Sequence, residues 1–173
     1  MKIIKTHIKG LLVVKNKNFY DNRGCFRELL IEKEIKKKFT FNVFSSSKKN
    51  VIRGLHFQNK KPQGKFVSVI KGKIIDVAVD IRKNSKTYGK HFKIILSDKN
   101  GTSLFIPEGF AHGFAGIDKE NLVVYSLTNY RYQKGERGIM WNDKDLKINW
   151  GIKKPIISLK DKRNITFEDF NNG

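Results

Sequence analysis

Alternating apolar and polar residues dominate the middle of the chain, which is the pattern of half-buried β-strands. Five segments carry this pattern most clearly and are rich in β-branched or aromatic residues: residues 66–70, 74–81, 91–96, 103–106 and 122–128. Only one short segment, residues 32–39, favours a helix. Many short strands separated by glycine-containing turns predict an all-β fold, either a sandwich, a barrel or a jelly roll.

Two glycine-containing segments separate predicted strands. Lys71, Gly72 and Lys73 lie between one pair of strands, and residues 97–101 lie between another. Glycine and asparagine readily adopt the backbone angles of tight β-turns. Both segments are therefore predicted to be hairpin turns. No repeat, linker or low-complexity segment interrupts the chain, so residues 1–173 are predicted to form one domain.

The length and the cysteine content narrow the class of protein. A chain of 173 residues is long enough to bury a sizeable core as one domain. It has no run of about 18 apolar residues that would cross a membrane, and its first residues lack the apolar stretch of a signal peptide. The single cysteine, Cys25, allows neither an internal disulfide nor a cysteine-built metal site. We therefore expect a cytoplasmic protein with no membrane partner.

The formal net charge of +20 raises the question of nucleic-acid binding, because basic surfaces attract phosphate. The lysines, however, are spread along the chain, with only short clusters such as residues 36–38. A solvated surface explains this distribution better than a nucleic-acid interface does, so no nucleic-acid partner is expected. A basic field still helps to attract a small anionic ligand.

One spacing narrows the fold to a cupin-type double-stranded β-helix, or jelly roll, with short peripheral helices. Gly101, Pro107, Gly109 and His112 follow one another at the intervals of the second cupin motif. Pro107 and Gly109 suit a tight turn that delivers His112 to the inside of the barrel. Small barrels of this kind carry ligand sites in their mouths.

Cupins often bind a metal through three histidines and a glutamate. The first cupin motif needs two histidines one residue apart and a nearby glutamate, whereas the corresponding segment here is His56, Phe57 and Gln58. His56 and His112 are then the expected imidazole pair, which is too few ligands for a usual divalent site. The sequence favours chemistry without a metal or cofactor, and a metal-dependent cupin oxygenase is kept as an alternative.

Several blocks of sequence, in order, resemble the nucleotide-sugar 3,5-epimerases typified by dTDP-4-dehydrorhamnose 3,5-epimerase. The resemblance runs from residue 21 to residue 161, and its blocks are NVIRGLHFQ at residues 50–58, DVAVDIR at 76–82, IPEGFAHGF at 106–114 and WND at 141–143. It implies an isomerase that converts dTDP-4-dehydro-6-deoxy-glucose to dTDP-4-dehydro-L-rhamnose. It also implies a homodimer whose N-terminal residues complete a neighbour's site.

The implied reaction removes the protons at C3 and C5, which flank a C4 ketone, and returns protons from the opposite face. It requires a base, a group that holds the base, a cation at the enolate oxygen and an acid across the ring. The resemblance assigns these roles, in that order, to His56, to Asp161, to Lys65 with help from His112, and to Tyr125. Taken singly, each of these residues is also compatible with a structural role.

The resemblance further implies a set of substrate-binding residues. They are Arg23, Phe26, Glu28, Ser45, Arg53, Lys65, His112, Arg131 and Glu136. Arginine suits the diphosphate because its planar guanidinium pairs with phosphate oxygens and stays protonated. Arg23, Phe26 and Glu28 are the residues expected to reach a partner subunit.

Strict alternation along a strand would send Arg53 and His56 to opposite faces of the sheet. A β-bulge at Gly54 is predicted to bring both side chains to the same face.

The chain departs from the family pattern around the nucleotide base. Phe41 and Val43 occupy positions where the family has glutamine and asparagine, and Arg131 replaces a tyrosine that stacks on thymine in the family. A guanidinium can also stack on a base, so the sequence leaves the nucleotide open. Two other functions are kept as alternatives: a C3-only or C5-only epimerase acting on a related nucleotide 4-keto-deoxysugar, and a cupin that binds a sugar nucleotide without turnover.

Overall fold

The computed structural model describes residues 1–173 as two antiparallel β-sheets packed face to face, with short helices at the periphery. The strands are β1 Lys2–Lys5, β2 Leu12–Lys15, β3 Phe19–Asp21, β4 Gly24–Phe26, β5 Phe41–Lys48, β6 Ile52–Gln58, β7 Lys65–Lys71, β8 Lys73–Asp80, β9 His91–Ser97, β10 Thr102–Ile106, β11 Phe110–Gly116, β12 Glu120–Leu127 and β13 Glu136–Gly138. The helices are α1 Glu32–Ile35, α2 Leu159–Lys162 and α3 Phe167–Asn172. None of them is long and apolar enough to cross a membrane.

The order of the strands defines a jelly roll. One sheet has six strands in the order β1-β2-β10-β7-β12-β5, and the other has five in the order β13-β6-β11-β8-β9. From β7 to β12, the chain changes sheet at every connection except the one between β8 and β9. All pairings between these strands are antiparallel, and β3 and β4 form a separate hairpin. The expected all-β, cupin-type fold is confirmed.

Strand alternation sorts the apolar side chains into two layers. On β8, Ile74 and Ala78 face the space between the sheets, whereas Val77 and Val79 face outwards. The outward layer is covered by the C-terminal part of the chain, where Trp150 is 3% exposed. Burial of apolar surface on both faces therefore fixes the C-terminal segment against the five-stranded sheet.

Both segments predicted to be hairpin turns connect strands that do not pair. Residues 71–73 join β7 to β8 and residues 97–101 join β9 to β10, but the two strands of each pair lie in different sheets. Gly72 has a φ of 83°, and a Cβ atom there would lie 2.2 Å from the carbonyl oxygen of Glu120. Gly72 therefore lies at a corner where the chain crosses from one sheet to the other, and the backbone at Glu120 is too close to leave room for a side chain. The hairpin prediction was therefore wrong for both segments. A corner between two sheets and a hairpin turn need the same kinds of residue, so the local sequence does not distinguish them.

The helix predicted over residues 32–39 is shorter than expected. It ends at Ile35 because Lys36 adopts a left-handed conformation with a φ of 57°. The Glu32 carboxylate then accepts a hydrogen bond from the backbone N–H of Phe39 at 2.8 Å. The sequence pattern did not predict α2 and α3, each of which begins after a residue whose side chain caps the helix.

Asp80, the last residue of β8, anchors the loop that follows it. Its fully buried carboxylate accepts hydrogen bonds from the guanidinium of Arg82 at 2.7 and 2.8 Å and from the hydroxyls of Ser85 and Thr87, both at 2.6 Å. Burial alone would raise the pKa of Asp80, but these hydrogen bonds lower it to about 2. The carboxylate is ionised at neutral pH and holds the loop in place.

Candidate active site

A pocket of about 290 Å³ opens into the space between the two sheets. Among its polar lining residues, His56, Lys65, His112 and Tyr125 come from β6, β7, β11 and β12, respectively. Since β6 and β11 belong to one sheet and β7 and β12 to the other, these side chains approach the pocket from both sides. The fold thus brings together four of the residues that the sequence singled out.

His56 on β6 and Asp161 on α2 form a short polar contact at the pocket wall. Nε2 of His56 lies 2.5 Å from Oδ1 of Asp161, and the backbone N–H of Gly54 donates to Oδ2 at 3.3 Å. Asp161 is itself positioned by Ser158, whose hydroxyl accepts its backbone N–H. Burial would raise the pKa of Asp161, but the hydrogen bonds, led by that of His56, hold it below its usual value. An ionised carboxylate therefore fixes the imidazole ring.

A bulge in β6 aims both Arg53 and His56 at the pocket. His112 of β11 pairs with His56, but Phe114, only two residues on, pairs with Arg53, so the register shifts between them. Gly54 lies inside this shift, and a Cβ atom there would be 2.5 Å from the Cα of Gly113. The predicted β-bulge is confirmed.

His112 on β11 is buried and paired with a second carboxylate, that of Asp76. Nε2 of His112 lies 2.9 and 3.1 Å from the two oxygens of Asp76. Burial lowers the pKa of His112, and Asp76 counteracts this. The sequence interpretation missed Asp76, although a signal was present: it is a charged residue at an inward position of β8, between Ile74 and Ala78.

Lys65, at the start of β7, places its ammonium group beside the histidines. Its Nζ donates to the backbone carbonyl of His56 at 3.2 Å. Burial lowers the pKa of Lys65 to about 8, and the carboxylates of Asp76 and Glu136 oppose this shift. The side chain therefore carries its charge at neutral pH and loses it in mild alkali.

Tyr125 on β12 faces the histidines from the opposite sheet. Its ring contacts those of His112 and Phe114, with centroids 6.1 and 6.5 Å apart. Its hydroxyl lies 3.3 Å from Oγ of Ser45. Burial raises the pKa of Tyr125, and the hydrogen bond to Ser45 and the charge of Arg53 oppose the shift. The phenol thus keeps its proton at neutral pH and is available as a proton donor.

Charged residues surround the more exposed part of the pocket. Glu136 accepts hydrogen bonds from Arg131 at 2.5 Å and from Lys160 at 2.9 Å. Mainly through Arg131, these contacts lower the pKa of Glu136 to about 2. Arg53 is held by the hydroxyl of Ser47 and the carbonyl of Ser46. The sequence interpretation did not single out Lys160, which immediately precedes Asp161.

The positions that depart from the family pattern lie together on the pocket wall. Phe41, Val43 and Arg131 all line the pocket. The ring of Phe41 stacks on that of Tyr130, with centroids 5.6 Å apart and an interplanar angle of 25°. This part of the wall consequently offers flat apolar surface and a guanidinium.

Four of the expected substrate-binding residues do not line the pocket of this chain. Arg23, Phe26 and Glu28 are exposed and lie on or beside the β3–β4 hairpin, where Arg23 pairs with Asp21. Ser45 also stays off the pocket surface and contacts Tyr125. No three His, Cys, Asp or Glu side chains come together in a group that could hold a metal ion.

A jelly roll with an imidazole–carboxylate pair on one side of a pocket and a phenol on the other is built to move protons. A base and an acid on two sides of one bound carbon can invert it. The fold and the site therefore define a cupin-type isomerase. The chain belongs to the dTDP-4-dehydrorhamnose 3,5-epimerase family, whose model matches residues 5–169.

Individual relatives cover nearly the whole chain. It is 43% identical over 169 residues to a dTDP-4-dehydrorhamnose 3,5-epimerase of Methanothermobacter thermautotrophicus, spanning 93% of this chain and 91% of the relative. The enzyme of that name from Salmonella typhimurium is 44% identical, with 93% and 92% covered. Among solved structures, the dTDP-6-deoxy-D-glucose-3,5-epimerase of Legionella pneumophila, in complex with dTDP-4-keto-L-rhamnose, superimposes with a TM-score of 0.92 at 37% identity, covering 96% and 93%.

Proposed function

We propose that this chain epimerises C3 and C5 of dTDP-4-dehydro-6-deoxy-glucose to give dTDP-4-dehydro-L-rhamnose. The observation that carries the proposal is the pairing of His56 with Asp161 on one side of the pocket and the position of Tyr125 on the other. The relatives named dTDP-4-dehydrorhamnose 3,5-epimerase and the ligand of the Legionella structure support a dTDP-linked sugar as the substrate.

His56 is the base in this proposal. Because Nε2–H of the ring donates to the ionised Asp161, the lone pair of Nδ1 is left to take the proton from C3 or C5. The carboxylate keeps the ring in this tautomer and stabilises the imidazolium that forms. His56 has 40% of its side chain exposed, so it can return the acquired proton to water.

Lys65 and His112 stabilise the enolate. Loss of a proton beside the C4 ketone places negative charge on the ketone oxygen, and a fixed cation or N–H donor in a partly dry pocket stabilises that charge strongly. The ammonium of Lys65 supplies the cation below a pH of about 8. His112, whose Nε2 is held by Asp76, adds an Nδ1–H donor and a second positive charge only as the imidazolium, because a neutral ring that donates to Asp76 has no N–H left.

Tyr125 returns a proton to the other face of the sugar. Its phenol belongs to the sheet opposite the one that carries His56, so removal and return of the proton occur on different faces. This difference in direction produces inversion.

The diphosphate binds to Arg53 with help from Lys160 and Arg131, which line the same pocket. A homodimer would supply the remaining contacts. Arg23, Phe26 and Glu28 lie on an exposed segment of this chain, and Phe26 is 66% exposed. We propose that the segment extends to a second copy, where Arg23 joins Arg53 at the diphosphate.

The direct test is to incubate the protein with dTDP-4-dehydro-6-deoxy-glucose in D₂O and to locate the incorporated deuterium by NMR. Deuterium at both C3 and C5, with inverted configuration, is expected. Deuterium at only one carbon would identify an epimerase of that carbon alone, and a complete lack of exchange would refute catalysis.

A further inference from the structure

The proton donor of the proposed reaction, Tyr125, becomes negatively charged when it acts. As its phenol gives a proton to the enolate carbon, the O–H bond breaks and the electron pair stays on the oxygen as a phenolate. Burial raises the pKa of Tyr125, so a phenolate at this position is unfavourable without a hydrogen-bond donor or a positive charge beside it. The groups around the phenol oxygen therefore affect how readily the proton is delivered.

Ser45 is the hydrogen-bond partner of this oxygen. The neighbouring rings of His112 and Phe114 contact the ring of Tyr125, and Nε2 of His112 is already bound to Asp76. Oγ of Ser45, in contrast, lies 3.3 Å from the phenol oxygen. This hydrogen bond lowers the pKa of Tyr125 against the larger effect of burial. Ser45 is thus placed to support the phenolate directly.

Strand pairing explains why Ser45 reaches Tyr125. Ser45 lies opposite Val123 of β12, and Tyr125 is two residues further along that strand, so the two side chains are diagonal neighbours on one face of the sheet. Val123 is buried in the core between the sheets, which identifies this face as the inner one. On the same face of β5, Ser47 accepts a hydrogen bond from Nε of Arg53 at 2.9 Å. The inner face of β5 therefore contributes one hydroxyl to the phenol and one to the guanidinium.

The direction of the hydrogen bond between Ser45 and Tyr125 decides where the phenol proton points. If the phenol donates, its proton is directed at the serine and away from a bound sugar. If the serine donates, the phenol proton is free to point into the pocket. The second arrangement also persists after proton delivery, and it strengthens then, because hydrogen bonds to an ionised acceptor are shorter and stronger.

We propose that Ser45 is a positioning residue that donates its hydroxyl hydrogen to Tyr125 and stabilises the phenolate left after proton delivery. The serine keeps its own proton throughout. The electron pair of the enolate forms the new C–H bond, the phenolate later regains a proton from water, and the imidazolium of His56 releases one to water, so no net charge accumulates. This role rests on the proposed epimerisation and adds a residue that favours inversion over return to the starting configuration.

The proposal predicts how the enolate divides between two outcomes. It can take a proton back from His56, which restores the original configuration, or from Tyr125, which inverts the carbon. Loss of the donor at Ser45 slows only the second route. His56 has 40% of its side chain exposed, so in D₂O the proton that it acquires can exchange with solvent. Return from His56 then leaves deuterium on a carbon that has not been inverted.

Threonine and valine at position 45 form a matched pair for the test. Both are β-branched, close in size and suited to β5, which is an edge strand. Ser45→Thr keeps the hydroxyl, whereas Ser45→Val replaces it with a methyl group. Comparing the two variants separates the effect of the hydroxyl from the effect of a larger side chain.

The measurement is the ratio of deuterium in unconverted dTDP-4-dehydro-6-deoxy-glucose to epimerised sugar, by NMR, early in a reaction in D₂O before product can revert. In Ser45→Val this ratio should rise by about tenfold or more relative to wild type, as expected for loss of a hydrogen bond to a charged group. In Ser45→Thr it should stay close to the wild-type value. The ratio is independent of the amount of folded enzyme.

Binding of dTDP, measured by calorimetry, completes the test. A higher ratio in Ser45→Val alone, with dTDP affinity unchanged, supports the role of Ser45. An unchanged ratio in Ser45→Val overturns it. So does an equal rise in both variants, which would assign the effect to side-chain size, or a loss of dTDP affinity in Ser45→Val alone, which would assign Ser45 to substrate binding. Wild type that neither exchanges nor epimerises would instead refute the proposed function, which is a separate result.

Discussion

His56 and His112 face each other as paired residues of two neighbouring strands, yet each imidazole has its own carboxylate. Asp161 approaches His56 from a helix near the end of the chain, and Asp76 approaches His112 from an inner strand. The side chain of His56 is 40% exposed and that of His112 is 5% exposed. This difference in exposure suits the two rings to different roles. The exposed ring of His56 exchanges protons, and the buried ring of His112 stabilises negative charge on the substrate.

The variant Asp161→Asn tests the role of Asp161, because it leaves His56 in place and removes the carboxylate that orients it. The amide keeps the size of the carboxylate but can neither stabilise an imidazolium nor hold the productive tautomer. We expect kcat to fall by about 10²–10⁴-fold with a small change in KM. Steady-state kinetics measures this, with circular dichroism as the control for folding. A decrease of less than threefold would contradict the role of Asp161.

The lowered pKa of Lys65 predicts that activity declines at alkaline pH. Its pKa is lowered by burial to about 8, so the ammonium is present below that pH and is lost as the pH rises through it. Activity that depends on this cation should decline above a pH of about 8. In Lys65→Arg the charge persists, because a guanidinium stays protonated. The decline should then move to higher pH, even if kcat is lower throughout. A decline at the same pH in both proteins would assign it to another group.

Asp76→Asn should shift the same alkaline limit in the opposite direction. Asp76 raises the pKa of Lys65 against the effect of burial, so its removal lets this pKa fall further. The decline in activity is therefore expected at a lower pH than in wild type. Asp80→Asn is the matched control, since Asp80 is equally buried on the same strand but its carboxylate bonds to Arg82, Ser85 and Thr87 and not to His112. Equal pH profiles for the two variants would refute the link between Asp76 and Lys65.

Two inactive variants should complement each other if the dimer shares its sites. Arg23→Ala and His56→Ala are each expected to lose most activity. In a mixed dimer, the subunit with an intact His56 receives an intact Arg23 from its partner, so one of two sites is complete. After subunit exchange at equal concentrations, activity should recover to about one quarter of wild type. No recovery, with mixed dimers demonstrated by mass spectrometry, would place Arg23 in its own subunit's site or outside any site.

The low pKa of Asp80 predicts that its contribution to the free energy of unfolding depends on pH. Its pKa is about 2 in the folded protein, below the value of 3.8 usual for aspartate, so its stabilisation is fully present above a pH of about 4 and is lost as the pH falls through 2. Asp80→Asn should cost about 2 kcal/mol at pH 7. Chemical denaturation at several pH values measures the difference. A cost that does not shrink in acid would show that the charge of Asp80 is unimportant.

The strands were predictable because each carries its own signal. The alternation over residues 74–81 arises from burial on two faces, and β8 follows it closely. No comparable sequence signal shows which strands pair with one another. Gly72 marks a change of direction whether the next strand pairs with the last one or crosses to the other sheet, and only packing decides between them.

The residues of the candidate site could be predicted from the sequence, but the contacts between them could not. The resemblance named His56 and Asp161 together, but nothing in their spacing of 105 residues would have joined them. Asp76 could have been found, because a carboxylate at an inward strand position needs a partner. The ion pair of Arg131 and Glu136 depends on how a loop folds, which no local pattern describes.

The attachment of Asp161 to a helix near the C-terminus has a consequence for folding. Every strand of both sheets precedes residue 139, whereas the carboxylate beside His56 comes from residue 161. The two sheets alone therefore lack an oriented base. Catalytic competence depends on the docking of a segment that contributes no strand to either sheet.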